Sequence, residues 1–325
     1  MTSICIFGAG AIGGYVGARL AMKDEARVSL VARGPHLAAM QANGLVLKQG
    51  GETHVIHPKV TDDPRQLGHQ DFIILTLKAH GVAGVIDQMQ PLIGPETAIL
   101  FAQNGLPWWY FYGSGGPYEG HMLESVDPGG TIWKRLGPAR ALGSVVWQAA
   151  EIEAPGVIAH HYGDRMPIGE PNGEKSERAA LLGKLLTSAG IKSPVRPNLR
   201  NEIWLKLWGN LSFNPVSVLT GGLLVDLATD AGTRRVIHTM MTEAQAVAEA
   251  LGVSFAVSIE ERMDMAAKVG AHRTSMLQDV EAGRPTELEA LLGVVIELGR
   301  LVKHGTPSLQ LVYDLVKFRE PDQLI

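Results

Sequence analysis

Lys206, Asn210 and Asn214 lie four residues apart in a segment with helical periodicity, so they share one face of the predicted helix. A lysine beside two amides can bind the oxygen atoms of a small polar substrate and donate a proton to one of them. The spacing also permits a plainer interpretation, in which Lys206 only forms a surface ion pair with Glu202. Because Pro215 disfavours helical geometry at the preceding residue, we expect the helix to end or kink at Asn214.

Two other polar residues follow predicted strands. Lys78 comes just after the strand predicted at residues 71–76, and Asn104 comes just after the strand predicted at residues 98–102. In a sheet of parallel strands, ligands bind outside the carboxyl ends of the strands. We therefore predict that Lys78 and Asn104 face a bound ligand.

A glycine-rich turn follows the apolar strand predicted at residues 4–7. The turn is Gly8-Ala9-Gly10-Ala11-Ile12-Gly13, and it matches the pattern G-x-G-x-x-G at the start of a predicted helix. Gly8 permits the tight turn, Gly10 lets the backbone approach a pyrophosphate, and Gly13 lets helix and strand pack closely. The N-terminus of the helix carries a partial positive charge that favours the phosphates. The pattern predicts a dinucleotide site formed by these six residues.

The end of the second predicted strand distinguishes an NAD site from an NADP site. An NAD site places Asp or Glu about 20 residues beyond the glycines, where the carboxylate binds the ribose 2′-hydroxyl. This chain has Ala32 and Arg33 there instead. A guanidinium can bind a 2′-phosphate through two hydrogen bonds. We therefore predict that NADPH is the cofactor and that Arg33 contacts its 2′-phosphate.

The elements around these residues predict an α/β fold in two domains. Strands and helices alternate in the first half of the chain, which favours a Rossmann-type, doubly wound parallel sheet. In this half we also predict a helix at residues 79–90 and strands at residues 141–147 and 157–169. Helical periodicity without strands then covers residues 200–212, 231–251, 256–282 and 286–304. The prediction is a dinucleotide-binding domain over residues 1–195 and an all-helical substrate and catalytic domain over residues 196–325.

Composition bounds the class of protein. The net charge is −4 and basic residues do not cluster, so the chain has no electrostatic footprint for nucleic acid. The one cysteine, Cys5, excludes an internal disulfide framework. We find neither an apolar run that could span a bilayer nor a signal-peptide pattern. We expect a soluble cytoplasmic protein that binds a small molecule and needs no metal; whether two copies form a homodimer is left open.

Taken together, the motifs resemble those of the ketopantoate reductase family, the 2-dehydropantoate 2-reductases. The resemblance extends over nearly the whole chain, and several motifs in the family's order are more specific than any one of them. They are the glycine turn at residues 8–13, Thr76-Leu77-Lys78, Asn104-Gly105, the segment from Glu202 to Pro215, Ser275-Met276-Leu277-Gln278-Asp279 and Thr286-Glu287. The resemblance implies reduction of 2-dehydropantoate to pantoate with NADPH, a step toward pantothenate and coenzyme A.

The resemblance also implies roles for individual residues. Lys206 matches the family's catalytic lysine, the proton donor to the substrate carbonyl oxygen, and Glu287 matches the glutamate beside substrate and cofactor. A lysine suits proton donation because burial shifts its pKa readily, whereas an arginine would keep its proton. The matched binding residues are Asn210, Asn214 and Ser275 for the substrate, with Ser275 on its carboxylate, and Lys78, Asn104 and Ala150 for the cofactor, with Asn104 also close to the reacting centre.

Two departures from the family's pattern fall where the substrate should bind. The segment after Asn104-Gly105 is longer than usual and contains Trp108-Trp109-Tyr110-Phe111-Tyr112, which would either roof the active-site cleft or pack against the protein's own surface or a partner subunit. His272 replaces a small polar residue three positions before Ser275. These departures leave open a bulkier or aromatic 2-oxo acid as the substrate. A non-catalytic NADPH-binding sensor is a further alternative, which the intact Lys206 and Glu287 disfavour.

Overall fold

The computed structural model describes residues 1–320 of the chain. These residues group into two compact units. The first unit contains Met1–Gln103, Trp109–Met122 and Thr131–Leu199, and the second contains Asn104–Trp108, Leu123–Gly130 and the chain from Arg200 onward. The predicted boundary at residue 195 takes no account of the two short segments, which belong with the helical unit although they precede it in sequence.

Two β-sheets lie in the first unit. The strands are β1 (Ser3–Phe7), β2 (Arg27–Val31), β3 (Leu45–Gln49), β4 (Glu52–Ile56), β5 (Lys59–Thr61), β6 (Gln70–Leu75), β7 (Ile93–Phe101), β8 (Ala141–Ser144), β9 (Ala149–Ala154), β10 (Val157–Tyr162) and β11 (Ile168–Gly169). The larger sheet has the order β11-β8-β7-β6-β1-β2-β5, and its pairs are parallel except for β11 with β8. Every residue of β1 is buried, as expected for a strand covered on both faces. The predicted parallel sheet is confirmed.

The smaller sheet has the order β4-β3-β10-β9. Strands β3, β4 and β9 were not predicted. The two outer strands, β4 and β9, are largely exposed and lack a buried apolar face. Without alternating apolar and polar residues, the sequence carries no strong period-two signal for such strands.

The first unit contains five α-helices: α1 (Ala11–Ala21), α2 (Gly34–Asn43), α3 (Ile86–Met89), α4 (Thr131–Leu136) and α5 (Glu177–Ser188). The prediction of one long helix at residues 79–90 is wrong. Only α3 is α-helical there, and two 3-10 turns, Ala79–Gly81 and Ala83–Val85, precede it. Gly81 and Gly84 lower the helix propensity of the segment, and this effect outweighs the apolar periodicity on which the prediction rested.

The second unit is helical, as predicted. Its helices are α6 (Leu199–Thr220), α7 (Leu224–Thr229), α8 (Ala231–Ala250), α9 (Ile259–Val269), α10 (Ser275–Glu281), α11 (Val294–Leu301) and α12 (Pro307–Arg319), with a π-helical turn at Glu289–Gly293 directly before α11. The segment of helical periodicity at residues 256–282 forms two helices, because Gly270, with a φ of +85°, ends α9. Within residues 1–320, no helix combines the length and apolar character needed to cross a membrane.

Helix α6 does not end at Asn214, contrary to the expectation from Pro215. It continues to Thr220, and residues 211–218 are all buried. Burial of this apolar segment outweighs the local preference of the residue before proline. The hydroxyl of Ser217 donates to the carbonyl of Asn214 at 2.6 Å, which satisfies a backbone acceptor next to the proline.

The aromatic segment is buried. Trp108, Trp109, Tyr110 and Phe111 are each at most 3% exposed. A Cβ at Gly143 would overlap the indole of Trp109, so that ring packs directly against β8. These four side chains therefore pack within the protein itself.

Candidate active site

The glycine turn joins β1 to α1. Gly8 has a φ of +99°, a backbone conformation that side chains other than glycine rarely adopt. A Cβ at Gly13 would overlap the carbonyl oxygen of Gly8 and the hydroxyl of Thr76, so the close approach of helix and strand requires glycine. Thr76, just after β6, donates from Oγ1 to the carbonyl of Gly8 at 2.5 Å. The neighbouring strand end thereby holds the turn in place.

Gly10 has a different reason to be glycine. Its φ is −73°, and no atom of the described residues lies within 4 Å of a Cβ built there. Nothing inside the unit requires glycine at this position, whereas the close approach of a phosphate does. Gly10 caps α1 without a side-chain hydrogen bond, so the first-turn N–H groups, among them those of Ala11 and Ile12, can donate to an anion. These residues fit the pyrophosphate of a dinucleotide.

Of the other predicted cofactor residues, Arg33, Lys78 and Ala150 lie in the same unit, whereas Asn104 and Glu287 lie in the second unit. Arg33 is exposed and caps α2 just after β2. The N–H of Ala9 donates to the carbonyl of Val31 at 2.9 Å, so the end of β2 and the glycine turn share one sheet edge. Lys78 is half-buried before a 3-10 turn, and Ala150 is a half-buried residue of β9. The predicted adenine side of the site therefore has an exposed cation next to the glycine turn.

His36 was not predicted as a site residue, yet it braces the glycine turn. Its Nε2 lies 2.9 Å from the carbonyl oxygen of Ala9, and its Nδ1 accepts the N–H of Gly156 at 2.9 Å. Because Nδ1 accepts, Nε2 must carry the proton and donate to Ala9. Burial lowers the pKa of His36, which favours this neutral form. No sequence motif predicts such a bridge, because Gly156 lies 120 residues from His36 in the sequence.

His36→Phe is expected to weaken dinucleotide binding, because phenylalanine keeps the ring but loses both hydrogen bonds. Since folding lowers the pKa of His36, the folded state binds fewer protons than the unfolded state as the pH falls below the ordinary value of 6.5. The stability that the neutral imidazole contributes is therefore present above that pH and lost below it. The difference in unfolding free energy between wild type and His36→Phe should narrow in the acidic range, as measured by denaturant titration. His304→Phe, at an exposed histidine, is the control; a gap that stays constant with pH would contradict the assignment.

In the second unit, Lys206, Asn104 and Glu287 form one hydrogen-bonded row. Lys206 Nζ donates to Asn104 Oδ1 at 2.7 Å, and Asn104 Nδ2 donates to Glu287 Oε2 at 3.1 Å. The two charged neighbours fix the orientation of the amide, because the opposite orientation would face the ammonium with an NH₂ group and the carboxylate with an oxygen. The bonded residues lie 102 and 183 positions apart in the sequence, so their spacing alone could not predict the row.

The row gives Lys206 the properties of an acid catalyst. Burial lowers the pKa of Lys206 to about 8, and the carboxylate of Glu287 opposes that shift. An ammonium with this pKa is charged near neutral pH and can still release its proton to a developing alkoxide. The arrangement is therefore suited to the reduction of a carbonyl group, in which negative charge forms on oxygen.

The π-helical turn positions the segment that contains Asn104. The N–H of Leu106 donates to the carbonyl of Ala290 at 3.0 Å. Gly105 has a φ of +85°, and a Cβ at this position would overlap the same carbonyl oxygen. π-Helical turns are rare and occur frequently at functional sites. Here the turn follows Glu287 and docks the neighbour of Asn104, so it brings two members of the row together.

The remaining predicted substrate residues lie on α6 and α10. Asn210 is half-buried and Asn214 is buried, each four residues further along α6. Ser275 is exposed at the first position of α10, beside Thr274, whose hydroxyl caps that helix and lies 2.5 Å from the hydroxyl of Ser217. Within residues 1–320, no hydrogen bond joins Asn210, Asn214 or Ser275 to the row. Their substrate contacts stay predictions.

A Rossmann-type sheet with a glycine turn and a helical unit with a lysine of lowered pKa define an oxidoreductase that uses a nicotinamide dinucleotide. The family model described as ketopantoate reductase PanE/ApbA matches residues 4–173, and the model for its C-terminal part, ketopantoate reductase PanE/ApbA C terminal, matches residues 198–320. The chain belongs to the ketopantoate reductase family.

Individual relatives agree with this assignment. The 2-dehydropantoate 2-reductase of Mesorhizobium japonicum is 52% identical over 97% of this chain and 96% of its own length. A crystal structure from Ralstonia solanacearum is 39% identical, with a TM-score of 0.93 over 99% of both chains. The crystal structure of 2-dehydropantoate 2-reductase from Methylococcus capsulatus is 28% identical, with a TM-score of 0.83 over 99% of this chain and 98% of that one.

Proposed function

We propose that this protein reduces 2-dehydropantoate to pantoate with NADPH. The observation that carries the proposal is the row of Lys206, Asn104 and Glu287: the Asn104 amide holds the half-buried lysine, whose pKa is lowered, and is itself bonded to the Glu287 carboxylate. The name of the Mesorhizobium relative, 52% identical over nearly the whole chain, supports 2-dehydropantoate as the substrate.

The residues of the row divide the work of the reduction. The nicotinamide, when bound, supplies the hydride that the ketone carbon receives. Lys206 stabilises the negative charge that forms on the carbonyl oxygen and donates the proton that converts it to a hydroxyl group. Asn104 aims the ammonium, and Glu287 keeps it protonated until the oxygen becomes basic. Both effects lower the barrier only when the ammonium lies within hydrogen-bonding distance of that oxygen.

The other predicted residues would bind the parts of the substrate that do not react. 2-Dehydropantoate carries a carboxylate and a hydroxyl group besides its ketone. The amides of Asn210 and Asn214 can donate to these oxygens and accept from the hydroxyl group, and the hydroxyl of Ser275 can donate to the carboxylate. Such contacts hold the ketone in one orientation against the ammonium.

A panel of 2-oxo acids tests the substrate. Turnover is followed by the loss of reduced-nicotinamide absorbance, with 2-dehydropantoate, a smaller aliphatic acid and an aromatic acid compared by kcat/KM. We expect 2-dehydropantoate to be reduced most efficiently. If another acid is preferred by a factor on the order of a hundredfold, which one well-shaped pocket can achieve, the proposed substrate is wrong. Tight NADPH binding without turnover of any acid would instead indicate a sensor.

Arg33→Ala is expected to reduce the preference for NADPH over NADH. A charge-assisted hydrogen bond to a phosphate is worth about 1.5–3 kcal/mol, so the ratio of the two kcat/KM values should fall by roughly 10- to 100-fold. Arg27→Ala removes the same charge from the opposite end of β2, where Arg27 is exposed, and should leave the ratio unchanged. An unaltered ratio in Arg33→Ala would mean that another group holds the 2′-phosphate.

A further inference from the structure

Helix α12 contacts the residues on both sides of Glu287. Thr286 donates from Oγ1 to Oε1 of Glu320, the residue directly after α12, at 2.5 Å. Tyr313 donates from its hydroxyl to Oε1 of Glu289 at 2.6 Å. One helix therefore holds the residue before Glu287 and the residue two positions after it.

Lys317 joins these two contacts into one network. Its Nζ lies 3.5 Å from Oε1 of Glu289 and 3.0 Å from Oε2 of Glu320. The carboxylate of Glu289 also lies over Gly293, where a Cβ would overlap its second oxygen. Glu289 is thus confined between α12 and the last residue of its own π-helical turn. The Glu320 side chain is only 14% exposed, so this end of the network is shielded from solvent.

The segment around Glu287 needs external support. The first N–H groups of a helix have no partner within the helix, so the backbone there is held mainly by side chains. Thr286 supplies one such contact by accepting the N–H of Leu288 at 3.2 Å. The carboxylate of Glu287 reaches Asn104 at 3.1 Å, and a shift of about 1 Å would remove that hydrogen bond.

We propose that α12 positions Glu287 on Asn104, with Tyr313 and Glu320 as the positioning residues. The inference rests on the proposed function, because Glu287 matters only if it supports Lys206 in catalysis. It assigns Tyr313 of α12 and Glu320, which follows the helix, a task distinct from packing: they fix the backbone from which the Glu287 carboxylate extends. Their hydrogen bonds go to Thr286 and Glu289, the neighbours of Glu287.

The test uses the double variant Tyr313→Phe/Glu320→Ala, which removes both hydrogen bonds but leaves Thr286 able to cap its helix. Glu320→Gln is the conservative variant, because its amide oxygen still accepts from Thr286. Asp314→Ala removes a carboxylate from the same helix outside the network, where its partner is Gln310. Glu287→Gln serves as the reference for full loss of the carboxylate.

The experiment measures the titration midpoint of Lys206, the pH at which half of its side chains are protonated. This midpoint is measured by NMR of the full-length protein with isotope-labelled lysine, without substrate or cofactor. Lys206→Met identifies the signal. Because the Glu287 carboxylate raises the pKa of Lys206, displacement of that carboxylate should lower the midpoint. We expect a lowered midpoint in Glu287→Gln and in the double variant, and a wild-type midpoint in Glu320→Gln and Asp314→Ala. In parallel, kcat of the double variant should fall roughly 10- to 100-fold.

The outcomes separate this inference from the proposed function. A double variant with a wild-type midpoint, whatever its melting temperature or kcat, would show that α12 only packs and would overturn the inference. An unchanged midpoint in Glu287→Gln would overturn it as well. If the midpoints move as expected but the wild-type enzyme reduces no 2-oxo acid, the inference on α12 stands and the proposed function fails.

Discussion

Lys206→Ala should lower kcat for reduction of the 2-oxo acid by a factor on the order of 10²–10⁴, the range for loss of a general acid. The substitution removes both the proton and the positive charge that faces the developing alkoxide. Lys206→Arg separates these two contributions, because arginine keeps the charge but holds its proton at any accessible pH. We expect Lys206→Arg to remain slow, and steady-state kinetics with saturating NADPH measure both variants.

The pH dependence provides an independent check on the same residue. With a pKa of about 8 for Lys206, kcat/KM for reduction should be level below that pH and fall about tenfold per unit above it, because neutral lysine has no proton to donate. Lys268→Ala, at an exposed lysine of α9, is the control and should retain the wild-type profile. A Lys206→Ala enzyme with wild-type kcat would remove Lys206 from the mechanism.

The fold was largely predictable because its main elements have strong local signals. Strand β1 is apolar throughout, the glycine turn follows it, and helical periodicity without strands marks the second unit. The errors fall where local signals compete with packing. The segment at residues 79–90 has apolar periodicity but also two glycines, and α6 passes through Pro215 because the residues around it are buried.

The geometry of the row was not predictable from the sequence. Resemblance to a family named Lys206, Glu287 and Asn104, yet nothing in their spacing indicated that the amide of Asn104 bridges the other two. The bridge depends on backbone features of low sequence signal. The π-helical turn is defined by its hydrogen-bonding pattern, which the sequence does not indicate. The need for glycine at position 105 becomes clear only when the carbonyl of Ala290 is seen beside it.

Gly105→Ala is therefore expected to have the second large effect on turnover. The new Cβ would overlap the carbonyl oxygen of Ala290, a backbone atom that cannot rotate away, so the segment must move off the π-helical turn. Asn104 would move with it and lose its two hydrogen bonds in the row. Misplacement of a catalytic group by about 1 Å can cost on the order of 10² in rate. We expect a loss of that size in kcat, measured by steady-state kinetics with saturating cofactor.

Positive φ alone cannot account for this effect, and a second glycine separates the two causes. Gly115 has a φ of +67°, but no atom of the described residues lies within 4 Å of a Cβ built there. Gly115→Ala therefore has the backbone strain of Gly105→Ala without the overlap, and should lower the melting temperature slightly while leaving kcat near wild type. If both variants lose kcat equally, strain and not the docking of Asn104 explains the loss. If Gly105→Ala keeps wild-type kcat, the bridging amide is dispensable and Lys206 acts without it.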